Sequence, residues 1–152
     1  MATLLQFSKN MRSRASQIRN APVRMIRRGA FAALKVAASG TPVDKGVARS
    51  NWRISLGART FSVIPAYSPG HKLGIDERAN LNATLAVGRG VLQNLKRGQA
   101  AFITNNVDYI DELNLVHGFV EDAAVAARLS VINTRVFVRV RGPGGGFEED
   151  LF

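Results

Sequence analysis

The sequence has no cysteine, only two histidines, no long apolar run and, over its first forty residues, no acidic side chain. Without cysteine the chain forms no disulfide and no thiolate metal site, which fits a reducing compartment. No apolar run approaches the roughly 20 residues of a membrane span, and no signal peptide is recognisable at the N-terminus. We therefore expect no membrane partner.

Charge is separated along the chain. Residues 1–40 hold eight Lys/Arg and no Asp/Glu, residues 99–122 hold five Asp/Glu and no Lys/Arg, and residues 142–152 add three acids to a chain of net charge +10. Such segments attract each other within a subunit or between copies, while a basic helix alone also suits nucleic acid. A length of 152 residues predicts one domain with a modest core.

A helical pattern fills residues 4–39, but Pro22 interrupts it. Asn20 is a plausible N-cap for a second helix with Pro22 in its first turn. We expect either two helices or one sharply kinked helix, flanked by arginines. The apolar stripe, with spacings of three and four, consists of Met11, Ala15, Ile18, Pro22, Met25, Gly29, Ala33 and Val36.

A turn then joins helix to sheet. Pro42 cannot continue a helix, and Gly40 suits a left-handed C-terminal cap. Asp44 and Gly46 are turn formers. The alternation of apolar and polar residues over 52–56 predicts the first strand.

The pattern over residues 60–106 predicts two strands, a loop and a helix. We expect a strand at 60–65 that forms a hairpin with the first strand, followed by an exposed loop at 65–75. The leucine spacing over 78–97 predicts a helix, in which close packing would justify the glycines. The segment 100–106 predicts a strand that ends in a turn.

The C-terminal third is predicted to contain a polar loop at 107–114, a helix from Phe119 and a strand at 135–141. A helical extension is the alternative for the strand. The domain then covers 1–141, and 142–152 form a flexible, glycine-rich acidic tail or arm. The anchors expected to be buried in the polar loop are Tyr109, Ile110 and Leu113.

No arrangement of side chains indicates catalysis or a cofactor. His71 and His117 lack partners at metal-ligand spacing, and the glycines at 88–90 lack the preceding strand of a phosphate loop. Trp52 and Phe61 are interpreted as core strand residues rather than a base-stacking platform. We therefore expect neither an enzyme nor a metal or cofactor site. One carboxylate cluster matches no calcium loop and consists of Asp108, Asp111 and Glu112.

Three motifs in order resemble the neck, or tail-completion, family of tailed bacteriophages. They are Asn-Ala-Pro at 20–22, Thr-Pro-Val-Asp-Lys-Gly at 41–46 with the strand after it, and Phe-Ile-Thr-Asn-Asn at 102–106 followed by Tyr109. The family typically has a small hydroxyl residue where Lys45 stands. It also has a glycine-rich stretch where this chain has Leu-Val-His-Gly-Phe.

The resemblance implies an α+β fold, in which a small antiparallel sheet packs against a long kinked N-terminal helix, an inserted helix and a C-terminal helix. It implies a structural virion protein that is assembled in the host cytoplasm and does not turn over a substrate. Copies would form a ring, commonly a hexamer, that joins the tail to the head connector or terminates the tail tube. Neck, connector and tail-tube proteins would be partners, with DNA passing through the channel.

Ring closure needs two different faces that complement each other. The alternative is a basic nucleic-acid-binding module that uses residues 9–35. For the ring we expect one basic and one acidic face, and the hypothetical contact joins Arg24, Arg27 or Arg28 of one subunit to Asp108, Asp111 or Glu112 of its neighbour.

Overall fold

In a computed structural model of the chain, residues 4–70, 77–134, 137–142 and 145–150 are described, the last two segments by their backbone only. Predictions for His71 and the rest of the loop to residue 75 lie outside these residues. The fold is α+β and mostly helical. Its helices are α1 (Leu4–Gly40), α2 (Val47–Ser50), α3 (Glu77–Gln93), α4 (Ile110–His117) and α5 (Phe119–Ile132), and its strands are β1 (Arg53–Leu56), β2 (Ala101–Thr104), β3 (Phe137–Gly142) and β4 (Gly145–Asp150).

Helix α1 is continuous over 37 residues and contains Pro22. The alternative of two helices, with Asn20 as an N-cap, is therefore wrong. Pro22 lacks the N–H that would donate to a carbonyl of the preceding turn, but the helix continues on both sides of it. Gly40 does not have the left-handed conformation that we predicted. A Cβ there would lie 3.0 Å from Cβ of Phe119, so close approach to α5 favours the glycine.

The first sheet has two antiparallel strands, β1 and β2, with Ile54 opposite Ile103. The predicted hairpin between β1 and a strand at 60–65 is wrong. Residues 60–65 form no strand, and Phe61 is 80% exposed, contrary to its predicted place in the core. An extended apolar stretch has the same period whether it pairs or not, and here the strand from further along the chain pairs with β1.

The core lies between α1, the first sheet, α3 and α5. Leu34 and Phe119 are almost completely buried, and the rings of Trp52 and Phe119 meet edge to face with their centroids 5.7 Å apart. Gly88 brings α3 close to α1, because a Cβ there would collide with Leu34. This confirms the packing reason for Gly88, although no atom lies within 4 Å of a Cβ at Gly90.

Two predicted segments have different boundaries or types. The helix expected at 78–97 ends at Gln93, and Gly98 has a left-handed φ of 77° five residues later. The polar loop expected at 107–114 contains the start of α4. Of its predicted anchors Ile110 is buried, but Tyr109 is 44% exposed.

A second antiparallel pair, β3 and β4, follows α5 in the described residues. This confirms the strand over the described part of 135–141. We expected a tail or arm from residue 142 onward, and within it residues 145–150 form β4. In the register of this pair Arg139 lies opposite Glu148.

Helices α1 and α5 are antiparallel neighbours. A Cβ at Gly40 would contact Phe119 at the start of α5, and a Cβ at Gly29 would lie 3.3 Å from the carbonyl oxygen of Ala127. Helix α5 therefore ends beside the middle of α1. The preceding residues 4–20, which we call the N-terminal arm, extend along the helix axis by about 25 Å.

Candidate functional site

A buried arginine, Arg49, ties the end of α1 to α2 and α3. Its side chain is only 3% exposed. Nη1 donates to the carboxylate of Glu77 at 2.6 Å, and Nη2 donates to the main-chain carbonyl of Thr41 at 2.7 Å. Because the Glu77 side chain is 51% exposed, water weakens the ion pair. The arginine therefore serves mainly to fix three elements in place.

Side chains rather than a sheet partner hold the extended segment 60–68. Asn51 Nδ2 donates to the Ile64 carbonyl at 2.7 Å, and the Ile64 N–H donates to Asn51 Oδ1 at 2.8 Å. The buried Asn80 binds the N–H and the carbonyl of Ser68 in the same way, both at 2.8 Å. Each side-chain amide thus forms the two hydrogen bonds that a residue of a neighbouring strand would otherwise form.

The residues that carry the family resemblance have structural contacts inside the subunit. Trp52 Nε1 donates to Oγ1 of the buried Thr41 at 2.7 Å. Asn105 donates to a main-chain carbonyl of α2 at 2.8 Å, and Asn106 donates to the carbonyl of Thr60 at 2.9 Å. These contacts therefore fasten the turn, the sheet and the following loop together.

The turn itself has the predicted geometry. Gly46 has a left-handed φ of 82°, and a Cβ there would collide with the side chain of Asn80. Beside it lies a cleft of about 420 Å³ whose lining includes Pro42, Asp44 and Tyr109. Burial, and secondly the charge of Asp44, raise the pKa of Tyr109 above 10.0. The phenol therefore stays protonated at neutral pH.

The three predicted contact arginines lie on α1 but differ in what they touch. Arg27 Nη2 donates to the main-chain carbonyls of Gln93 at 2.7 Å and Leu95 at 3.0 Å, which caps the C-terminal end of α3. Arg24 is exposed and donates to a carbonyl of α1 itself at 3.3 Å, and Arg28 is exposed. Arg27 thus has a role within the subunit, and Arg24 and Arg28 face solvent.

All three predicted contact carboxylates are exposed: Asp111 and Glu112 lie in the first turn of α4, and Asp108 lies two residues before the helix. Two further exposed carboxylates lie in the first turn of α5. Acidic residues in a first helical turn stabilise the helix through its dipole by about 0.3–1 kcal/mol, so the four carboxylates in the first turns of α4 and α5 have a local reason to be there, whereas Asp108 lies before α4. We call residues 108–122 the acidic corner; its carboxylates are Asp108, Asp111, Glu112, Glu121 and Asp122.

Sequence reasoning missed the exposed apolar residues of the arm and of the corner. None of residues 4–20 is buried, and Phe7 and Met11 are 62% and 48% exposed. In the corner, Leu115 and Val116 are 88% and 78% exposed. The helical stripe was visible in the sequence, but periodicity does not tell whether a stripe has a partner in its own subunit.

The described residues offer little for other kinds of site. His117 is exposed in the last turn of α4. Within the described ranges, no three His, Asp or Glu side chains are grouped so that they could hold a metal ion. No helix in this part of the chain combines the length and the apolar character that crossing a membrane requires.

Comparison of the chain with known protein families, with curated proteins and with solved structures gives no significant match.

Proposed function

We propose that this chain is a structural subunit of a tailed phage, which forms a ring at the head–tail junction and lets DNA pass. The ring is a neck or tail-completion ring, commonly a hexamer in the family that the motifs resemble. Neck, connector and tail-tube proteins bind its two faces. The chain is a virion component and turns over no substrate.

One observation carries the proposal: the two ends of the subunit bear exposed apolar residues inside surroundings of opposite charge. The N-terminal arm is basic, and the corner between α4 and α5 is acidic. An exposed apolar patch rimmed by charge is typical of a protein interface. Two unlike faces at opposite ends produce head-to-tail contacts, which close into a ring when the rotation between subunits permits.

The test is the place of the chain in the particle. Electron microscopy of purified phage, labelled with antibody against this chain, should show label at the head–tail junction. Particles assembled without the chain should accumulate as separate heads and tails. Absence of the chain from mature particles would contradict the proposed function.

Nucleic-acid binding is the second candidate function, because α1 presents exposed basic residues and no acidic ones. These include Lys9, Arg12, Arg19, Arg24 and Arg28. Such a module binds duplex DNA as a monomer, with an affinity that falls steeply with salt. Fluorescence anisotropy on the isolated chain over a salt series distinguishes the two functions. A nucleic-acid-binding module should bind DNA tightly as a monomer, whereas a ring subunit that only lines a DNA channel need not.

A further inference from the structure

We infer that the N-terminal arm of one copy docks on the acidic corner of the next copy. The inference rests on the proposed ring and specifies its contact. It differs from the arginine contact expected from the sequence, because the apolar residues of the arm form the centre of the interface and the charges surround them.

The arm has an apolar stripe that lies exposed on the surface of the subunit. Leu4, Phe7, Met11 and Ile18 are exposed and recur at three, four and seven residues, which places them on one side of α1. Burying such side chains is worth about 1.5–3 kcal/mol each. Gln6, Asn10, Arg14 and Gln17 have polar interactions of their own, so they are not counted as part of this surface.

Exposed basic side chains accompany the stripe. Lys9, Arg12 and Arg19 face solvent, and the arm has no acidic residue. Two arms that packed against each other would bring like charges together, which is unfavourable. The complementary partner is therefore an acidic surface with apolar residues at its centre.

The acidic corner has this composition. Leu115, Val116 and Val120 are exposed. The five carboxylates of the corner, which precede and follow them in the sequence, are exposed as well. No Lys or Arg lies between residues 99 and 122, so no internal cation neutralises the corner from within this segment. Among the residues whose side-chain exposure is described, the corner combines exposed aliphatic residues with an excess of negative charge.

A subunit cannot satisfy its own arm in this way. The start of α5 lies beside Gly40 at the C-terminal end of α1, while the arm lies at the other end. From Ile18 to Gly40 the rise along a helix is about 33 Å. The contact must therefore join two copies, and each copy has one arm and one corner to offer.

The experiment uses the full chain and two double variants, Phe7→Glu/Met11→Glu in the arm and Leu115→Asp/Val116→Asp in the corner. We expect the wild type to be oligomeric by light scattering coupled to size exclusion. Each variant alone should be monomeric, with its dissociation constant raised at least about thirtyfold, the effect of losing one interface hot spot. An equimolar mixture of the two should form a dimer, because one intact arm still meets one intact corner.

A matched control changes exposed aliphatic residues on another part of α5. Val125→Asp/Leu129→Asp should remain oligomeric, since these residues, 56% and 53% exposed, lie outside the corner. Circular dichroism and the melting temperature of each monomeric variant show that it is folded. A variant that fails to fold is replaced by Met11→Gln or Val116→Gln, which should weaken association by a smaller factor.

Several outcomes would overturn the inference. A corner variant that stays oligomeric, a mixture that stays monomeric, or a control that dissociates would each do so. A wild type that is monomeric at its highest soluble concentration, with the arm binding duplex DNA or anionic vesicles, would do so as well. These results leave the labelling of phage particles untouched, so failure of this contact is distinguishable from failure of the proposed function.

Discussion

The two halves of α1 carry the same pattern and have different surroundings. In the C-terminal half, Gly29 and Ala33 lie against α5 and the core, and Leu34 is fully buried. In the N-terminal half, Met11 and Ile18 belong to the same stripe but are about half exposed. Helix periodicity is thus equally strong where the stripe is buried inside the subunit and where it is exposed.

The comparison shows how an amphipathic helix can serve two purposes. A helix gains most of its stability from packing an apolar face, rather than from propensity alone. The buried half of α1 obtains this stability from α3 and α5. Met11 and Ile18 of the arm remain about half exposed, so docking on another copy would bury them and stabilise the arm further.

The largest effect should come from the buried half. In the monomeric Leu115→Asp/Val116→Asp background, Leu34→Ala should lower the free energy of unfolding by about 3 kcal/mol, because it leaves a cavity at a fully buried position. Met11→Ala in the same background should change it by less than about 0.5 kcal/mol. Urea denaturation measures both, and equal losses would abolish the contrast between the halves.

Two neighbouring arginines provide a smaller and sharper test. Arg27→Met should lower the free energy of unfolding by about 1.5 kcal/mol, since it removes two hydrogen bonds from a charged group to the end of α3. Arg28→Met, the matched control at an exposed position, should have almost no effect. Similar values for the two would show that Arg27 does not cap α3 in solution.

The smallest effect should come from the proline that separates the halves. Pro22→Ala restores an N–H to α1 and should increase the free energy of local opening in the arm, with little effect on global unfolding. Amide hydrogen exchange read by mass spectrometry should show slower exchange before residue 22 and little change in residues 30–40. An unchanged arm would mean that Pro22 does not limit its stability.

The sequence predicted the elements whose signals are local. The alternation around Ile54, the apolar spacing after Phe119 and the left-handed Gly46 all correspond to what the structure has. In each case the backbone preference and the burial of side chains favour the same conformation. A segment is predictable from its sequence when its local backbone preference and its side-chain burial agree in this way.

The remaining features depend on distant parts of the chain. The segment 60–65 looks like a strand, but the side chains of Asn51 and Asn106 take up its hydrogen bonds, and β2 pairs with β1 instead. The arginines of α1 look equivalent in sequence, yet Arg27 reaches α3, 66 residues away. The exposed apolar residues of the arm and of the corner were not predicted, since periodicity does not reveal whether a partner is present.

The natural absence of cysteine permits a direct test of the contact between arm and corner. In a Met11→Cys/Val116→Cys double variant, oxidation of the assembled protein should give a ladder of covalent multimers on a non-reducing gel. Each single variant should remain at the position of one chain. If Met11→Cys alone cross-links to itself, or if the oligomeric double variant gives no ladder, then the arm does not dock on the corner of a neighbouring copy.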